Sequence, residues 1–160
     1  LTFLISCSEL GSGEWVTESI GNSNFSVSIP KELETQQTKR ELDLKVIDNR
    51  FYAFKKDESI SINIGITQYP IEHGLVSEKI ELNCNSFDKS PFNFTMETQS
   101  LIVVAGEKTK IIKCSSDSLA VHIVSFFKNN AHFTMAVGAK SDSKDFNFNK
   151  VFSGVTYNDQ

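Results

Sequence analysis

The sequence predicts an α+β fold in which a mostly antiparallel sheet is covered by helices on both faces. Three patterns lead to this prediction. Isoleucines alternate with smaller or polar residues over 60–67, the period of two that places every isoleucine on one side of a strand. Residues 119–127 and 131–139 form two largely apolar segments on either side of a short polar turn. Residues 148–155 carry apolar side chains at the spacing of a helix.

The first part of the chain contributes short strands. Residues 15–20 and 25–29 are predicted strands joined by a turn rich in glycine and asparagine. Pro30 ends the second strand because it has no amide hydrogen to donate. Residues 31–43 are polar without a clear period, which predicts a loop. A further strand is predicted at 44–54, followed by a charged turn and the isoleucine strand.

The middle of the chain adds one predicted helix and several strands. Residues 75–87 carry apolar side chains at a loosely helical spacing, and Ser77 could cap the start of this helix. Alternation predicts a strand at 92–97. Residues 101–105 and 109–114 lie on either side of a Gly-Glu pair, so they form either a hairpin or one long strand broken by a bulge.

The long hairpin is the strongest of the strand predictions. A two-residue turn at Asn129 and Asn130 pairs Val124 with Met135, and both faces of the hairpin are then largely apolar. Both faces must be covered, which places the hairpin centrally in the sheet. The closing helix would supply one cover, with Ser141 or Asp142 before it as the capping residue.

Composition and charge limit the class of protein. The 160 residues are 39% hydrophobic and 22% charged, as in a single folded domain, with a net charge of -4. Lys and Arg form no cluster larger than a pair, so nucleic acid is not an expected partner. In an oxidising compartment Cys84 and Cys114 could form a disulfide; the alternative is two buried free thiols.

The first residues predict a location. An apolar run ends in Leu4, Ile5, Ser6 and Cys7, and these four residues resemble the lipobox of bacterial lipoproteins. The resemblance implies that residues 1–6 end a signal peptide and that Cys7 carries the lipid that anchors the chain to a membrane. The alternative is that this run is an edge strand and that Cys7 is an ordinary thiol.

The residues after the cysteine refine this location. Residues 7–13 are small and polar and are predicted to be a tether, and residues 14–157 a single domain. Because Ser8 is not aspartate, the lipoprotein resemblance favours the outer membrane, facing the periplasm.

The order of elements also resembles a known fold. A short strand ending in Pro30, a sheet with a helix after the isoleucine strand, a long hairpin over 119–139 and a closing helix with Phe152 are similar to the PsbP-like and DcrB-like family. This family includes small bacterial lipoproteins with an antiparallel sheet between helices. The resemblance implies a non-enzymatic envelope protein that binds a partner or stabilises an assembly. It transfers no functional residue.

The sequence lacks the common catalytic and metal-binding motifs. It contains no HExxH, CxxC, GxSxG or GxGxxG arrangement, and no cofactor is expected. In the predicted register His122 and His132 point to opposite faces, so they cannot share a metal ion. His122 is interpreted as a buried, hydrogen-bonded core residue and His73 as a surface loop residue. The acidic residues within 57–58 and 142–145 are interpreted as solvated turn charges.

Three functions are compatible with these patterns. The first is a lipid-anchored binding or assembly module of the cell envelope, with a membrane and a protein as its partners. The second is a periplasmic carrier that holds a small apolar ligand or lipid between the sheet and the closing helix. The third, an enzyme with catalytic residues brought together from distant loops, has the least support, and we expect no enzymatic activity.

Overall fold

The computed structural model describes residues 13–21, 23–36, 48–56, 59–69, 82–84, 94–143 and 146–159. Within these ranges ten of the eleven regular elements are strands. The described strands and helix are, in chain order, β1 (Trp15–Ser19), β2 (Phe25–Pro30), β3 (Glu34–Gln36), β4 (Asp48–Lys56), β5 (Ile60–Gln68), β6 (Met96–Val104), β7 (Glu107–Ser115), β8 (Leu119–Lys128), β9 (Ala131–Lys140), α1 (Phe148–Ser153) and β10 (Thr156–Tyr157).

The strands form two antiparallel sheets. The larger has seven strands in the order β3-β4-β5-β9-β8-β7-β6, and the smaller has three in the order β1-β2-β10. In the hairpin β8-β9, Val124 lies opposite Met135, and the turn residues Asn129 and Asn130 have φ of 46° and 60°. The predicted hairpin register is therefore confirmed. The hairpin is also central, since β5 pairs with β9 and β7 with β8.

One face of the seven-stranded sheet, here called the inner face, carries Ile62, Val124 and Phe133. These side chains belong to one buried core together with residues of the three-stranded sheet and of α1. Side chains alternate along each strand, so the apolar side chains on one face of β5, β8 and β9 pack against the apolar side chains on one face of β2. The core thus lies between the two sheets. The contributions from β2 and α1 are Phe25, Val27, Ile29, Val151 and Phe152.

The opposite face, here called the outer face, carries Cys114, Ser125 and His132. A second, smaller buried cluster lies on it, formed by Cys84, Ile112, Cys114 and Ile123. This face is otherwise richer in small and polar side chains than the inner face. The two faces therefore differ in chemistry although the same strands form both.

The predicted α+β fold is wrong, and so is the PsbP-like sandwich of helices around a sheet. The regular elements of the described residues are strands except for α1, which has six residues. The inner face is covered chiefly by a second sheet instead of a helical layer. The physical reason is that Phe25, Val27 and Ile29, which alternate along β2, offer the sheet an apolar face of matching period.

The closing helix is shorter than predicted and begins differently. Gly154 caps its end, so Val155 lies beyond it although Val155 fits the apolar spacing. Its start is capped by the side chain of Asn147, which accepts a hydrogen bond from the Lys150 N–H at 3.0 Å. The prediction that Ser141 or Asp142 caps the helix is therefore wrong. Strand β10 comes directly after and pairs with β2.

Other predictions agree with the structure in part. Of the two alternatives for the segment around Gly106, the hairpin is observed, because β6 and β7 pair from Met96 with Ser115 to Val104 with Glu107. The predicted loop at 31–43 contains the short strand β3. The predicted helix at 75–87 lies outside the described residues except for 82–84.

Candidate functional site

The structure joins Cys84 and Cys114 in a disulfide, with the two Cα atoms 5.7 Å apart. The bridge lies on the outer face and is packed against Ile112 and Ile123. Glu97 also holds Cys84 in place, because its Oε2 accepts a hydrogen bond from the backbone N–H of Cys84 at 3.0 Å. This bond, and a second from the side chain of Gln99, lower the pKa of Glu97. Residues 82–84 are therefore attached to β7 covalently and to β6 by a hydrogen bond.

Several residues singled out from the sequence lie outside the described residues. These are Cys7, with the whole predicted signal and lipobox, and His73. Asp57, Glu58 and Asp145 are also outside, whereas Asp142 is exposed in the turn after β9.

His122 lies on the inner face, but it is only half-buried and not the fully buried, hydrogen-bonded core residue that was predicted. Its ring stacks on that of Phe148, with the ring centroids 3.9 Å apart. Burial lowers the pKa of His122 to about 4, and the charge of Lys113, which lies opposite it on β7, acts in the same direction. Its Nδ1 is buried, and no hydrogen-bond partner for it is found among the described residues. The side chain is thus held neutral against α1.

A polar cluster on the outer face was not predicted. The Oγ of Ser125 is 2.5 Å from Nε2 of His132 and 3.0 Å from Oγ1 of Thr134. The His132 ring also stacks on Phe127, and burial lowers its pKa. Because Ser125 is opposite Thr134 and Phe127 opposite His132, the register alone would have brought these side chains together.

The serine–histidine contact is the arrangement closest to catalytic chemistry in the described residues. A serine nucleophile must be reached by its substrate, but Ser125 is 2% exposed and its hydroxyl already contacts both His132 and Thr134. Its carbonyl accepts a hydrogen bond from Oγ1 of Thr109 at 2.9 Å, which ties β8 to β7. The cluster is best explained as a polar contact between neighbouring strands.

Metal binding has no support in the described part of the chain. Within it, no group of three or more His, Cys, Asp and Glu side chains is placed to hold a metal ion. His122 and His132 point to opposite faces, as predicted. No helix among the described residues is long and apolar enough to cross a membrane.

The space between the sheet and the closing helix is occupied by the protein itself. Val151 and Phe152 of α1 are buried in the same core as Phe25 and Phe133. The ring of Phe25 lies 4.7 Å from that of Phe133 and 4.8 Å from that of Tyr157, measured between centroids. This packing does not favour a ligand at the position that the carrier hypothesis requires.

The surface shows one unusual feature, at the β6 edge of the seven-stranded sheet. Leu101 and Val103 are 60% and 65% exposed, and they are the exposed large hydrophobic residues of the described chain. Both point to the outer face. On β7 they lie opposite Lys110 and Lys108, whose side chains are also exposed. We call these four residues, Leu101, Val103, Lys108 and Lys110, the edge patch.

Comparison of the sequence with protein families and with curated proteins finds no relative. No protein-family model matches the chain, and no curated protein matches it significantly. The structure defines a class only, a disulfide-linked antiparallel β-protein of two packed sheets.

Proposed function

We propose that the chain is a lipid-anchored module of the bacterial cell envelope that binds a protein partner or supports an assembly, without catalysis. The observation that carries the binding part is the edge patch. Exposed apolar side chains that neighbour each other on a sheet edge are typical of interaction surfaces. In contrast, Ser125 and His132, the residues nearest to a catalytic pair, are used within the fold.

The cysteines support the location. The sequence has three cysteines, and the disulfide uses Cys84 and Cys114. Disulfides persist in oxidising compartments such as the bacterial periplasm. The third cysteine, Cys7, lies in the segment that resembles a lipobox. We therefore propose export, lipid attachment at Cys7 and a position facing the periplasm, with the outer membrane favoured by Ser8.

The anchor is tested by metabolic labelling. Bacteria producing the full-length protein are grown with radiolabelled palmitate, and the label is measured in the wild type, in Cys7→Ser and in the double variant Cys84→Ser/Cys114→Ser. We expect label in the wild type and in the double variant, and none in Cys7→Ser. Label that persists in Cys7→Ser, or an unlabelled wild type beside a labelled control lipoprotein, would refute the anchor.

The binding surface is tested by site-specific photo-crosslinking in intact envelopes. A photoreactive residue replaces Leu101 in the edge patch or, as the matched control, Thr17, an exposed residue of β1 in the other sheet. We expect a discrete crosslinked species, identified by mass spectrometry, from position 101 and not from position 17. Equal yields from both positions, or no adduct from position 101, would contradict a binding role for the edge patch.

A further inference from the structure

The two edges of the seven-stranded sheet are built differently. At one edge the described residues of β3 number three, and short edge strands are a common protection against unwanted pairing. At the other edge β6 is nine residues long, and no strand of the described chain pairs with its free side. About half of the N–H and C=O groups of such a strand point away from its neighbour and are available to another strand.

The protective features that an edge strand can carry in its own residues are missing from β6. It contains no proline, and its pairing with β7 runs without a bulge from Met96 to Val104. Its only charged residue is Glu97, and its outer face carries the exposed Leu101 and Val103. Natural proteins use proline, bulges or lysine on an edge strand to prevent pairing. The free side of β6 is therefore suited to accept a strand.

We propose that this strand is β6 of a second copy, paired antiparallel about a two-fold axis at Ser100. The second copy is then the partner of the edge patch, so this dimer rests on the binding part of the proposed function. With Ser100 opposite Ser100, all nine residues of the two strands are paired. Leu101 then lies opposite Gln99 of the second copy, and Val103 lies opposite Glu97 of the second copy.

The charges fit this register. The two Glu97 residues are six positions apart along the strands, about 20 Å at 3.4 Å per residue, which is well beyond the screening length in physiological salt. Lys108 lies next to Val103 on the outer face. Each Glu97 is therefore about two strand spacings, roughly 10 Å between backbones, from Lys108 of the other copy. Like charges are separated and unlike charges are brought near.

The apolar side chains fit it as well. Leu101 of each copy lies diagonal to Leu101 of the other, a distance at which long side chains still touch. Pairing removes part of the exposed surface of Leu101 and Val103 from water. A single strand pair buries an area at the low end for specific complexes, so a weak dimer is expected. A shared lipid anchor would raise the effective concentration of the two copies.

The dimer is tested with the full chain carrying Cys7→Ser, which removes the lipid and so separates this test from that of the anchor. Sedimentation velocity is measured from about 1 to 200 μM, a range that covers a weak dimer. We expect a reversible monomer–dimer equilibrium, with a dissociation constant at least tenfold higher when Leu101→Lys and Val103→Lys are added. Thr17→Lys, a lysine on an exposed strand elsewhere, should leave the equilibrium unchanged.

The register is tested by cysteine crosslinking in the same background. Ser100→Cys places two thiols at the axis, whereas Thr98→Cys places them about 14 Å apart along the strands. Both positions are exposed on the same face of β6. We expect Ser100→Cys to form a disulfide-linked dimer at least tenfold faster under mild oxidation. Circular dichroism checks that each variant is folded.

Three results would overturn the inference. The first is a monomer at every concentration. The second is a dimer whose dissociation constant is unchanged by Leu101→Lys and Val103→Lys. The third is an equal rate of disulfide formation by Thr98→Cys and Ser100→Cys. If the purified chain is monomeric and position 101 crosslinks to a different protein in the envelope, the second copy is not the partner of the edge patch. That last result would leave the proposed binding function intact.

Discussion

On the inner face of the seven-stranded sheet, Phe126 and Phe133 are fully buried among apolar side chains of the second sheet. Their chain neighbours on the outer face, Ser125 and His132, instead contact each other through polar atoms. The inner face is stabilised mainly by removal of apolar surface from water. The outer face combines a smaller apolar cluster around the disulfide with hydrogen bonds. The same strands therefore depend on different interactions on their two sides.

The largest expected effect comes from comparing two adjacent phenylalanines on opposite faces. Phe126 is fully buried, with its ring centroid 5.1 Å from that of Phe133, so Phe126→Ala should lower the free energy of unfolding by about 3–5 kcal/mol. Phe127 is only half-buried, beside Tyr69 and His132. Its change to Ala should cost about 1–2 kcal/mol.

Urea unfolding of the full chain, with circular dichroism as the signal, measures both values. Phe127→Ala serves as the control for the loss of a phenyl group at nearly the same position in the chain. Equal costs for the two variants would show that the inner face is not the main source of stability.

The disulfide should have the next largest effect. Cys84 and Cys114 close a loop of 30 residues, and a bridge of this span stabilises a fold by about 3–4 kcal/mol in the chain-entropy model. Dithiothreitol should therefore lower the melting temperature of the wild type measured by circular dichroism. The double variant Cys84→Ala/Cys114→Ala should melt below the oxidised wild type, near the temperature of the reduced wild type, and should be insensitive to the reductant. A wild type that melts at the same temperature with and without reductant would remove the disulfide as a source of stability.

The sequence predicted the parts of the fold in which local patterns are strong. The alternation of Ile62 and Ile64 with polar residues identified β5, and the two asparagines fixed the register of β8 with β9. From that register the contact of Ser125 with His132 could also have been predicted, because the two residues are diagonal neighbours on the same face of the hairpin. The distance between their atoms could not, since it depends on side-chain rotamers.

The layer that packs against the inner face of the seven-stranded sheet was harder to predict. Strand β10 has two residues and exists only through pairing with β2, so no local pattern identifies it. The apolar spacing that ends at Val155 predicted a longer helix, but Gly154 ends it. Val155 is nevertheless buried, because the chain past the helix continues along the core. An apolar pattern indicates which residues are buried. It predicts a helix correctly only where the backbone stays helical over the whole pattern.

The smallest expected effect is a loss of stability at acid pH caused by His122, on the inner face of β8. Above pH 6.5 His122 is neutral in both the folded and the unfolded chain. Because burial lowers its folded pKa to about 4, the unfolded chain binds a proton first as the pH falls. The stability contributed by the neutral ring is therefore present above pH 6.5 and is lost between pH 6.5 and about 4. Since the side chain is partly exposed, we expect the loss between pH 7.5 and 5 to be about 1 kcal/mol.

The variant His122→Phe isolates this contribution. It keeps an aromatic ring to stack on Phe148 and removes the titrating group, including the Nδ1 that lacks a partner among the described residues. The free energy of unfolding, measured in urea at pH 7.5 and pH 5, should fall by about 1 kcal/mol less in the variant than in the wild type. If both proteins lose the same stability, the acid sensitivity belongs to other groups, with His132 on the outer face as the next one to replace.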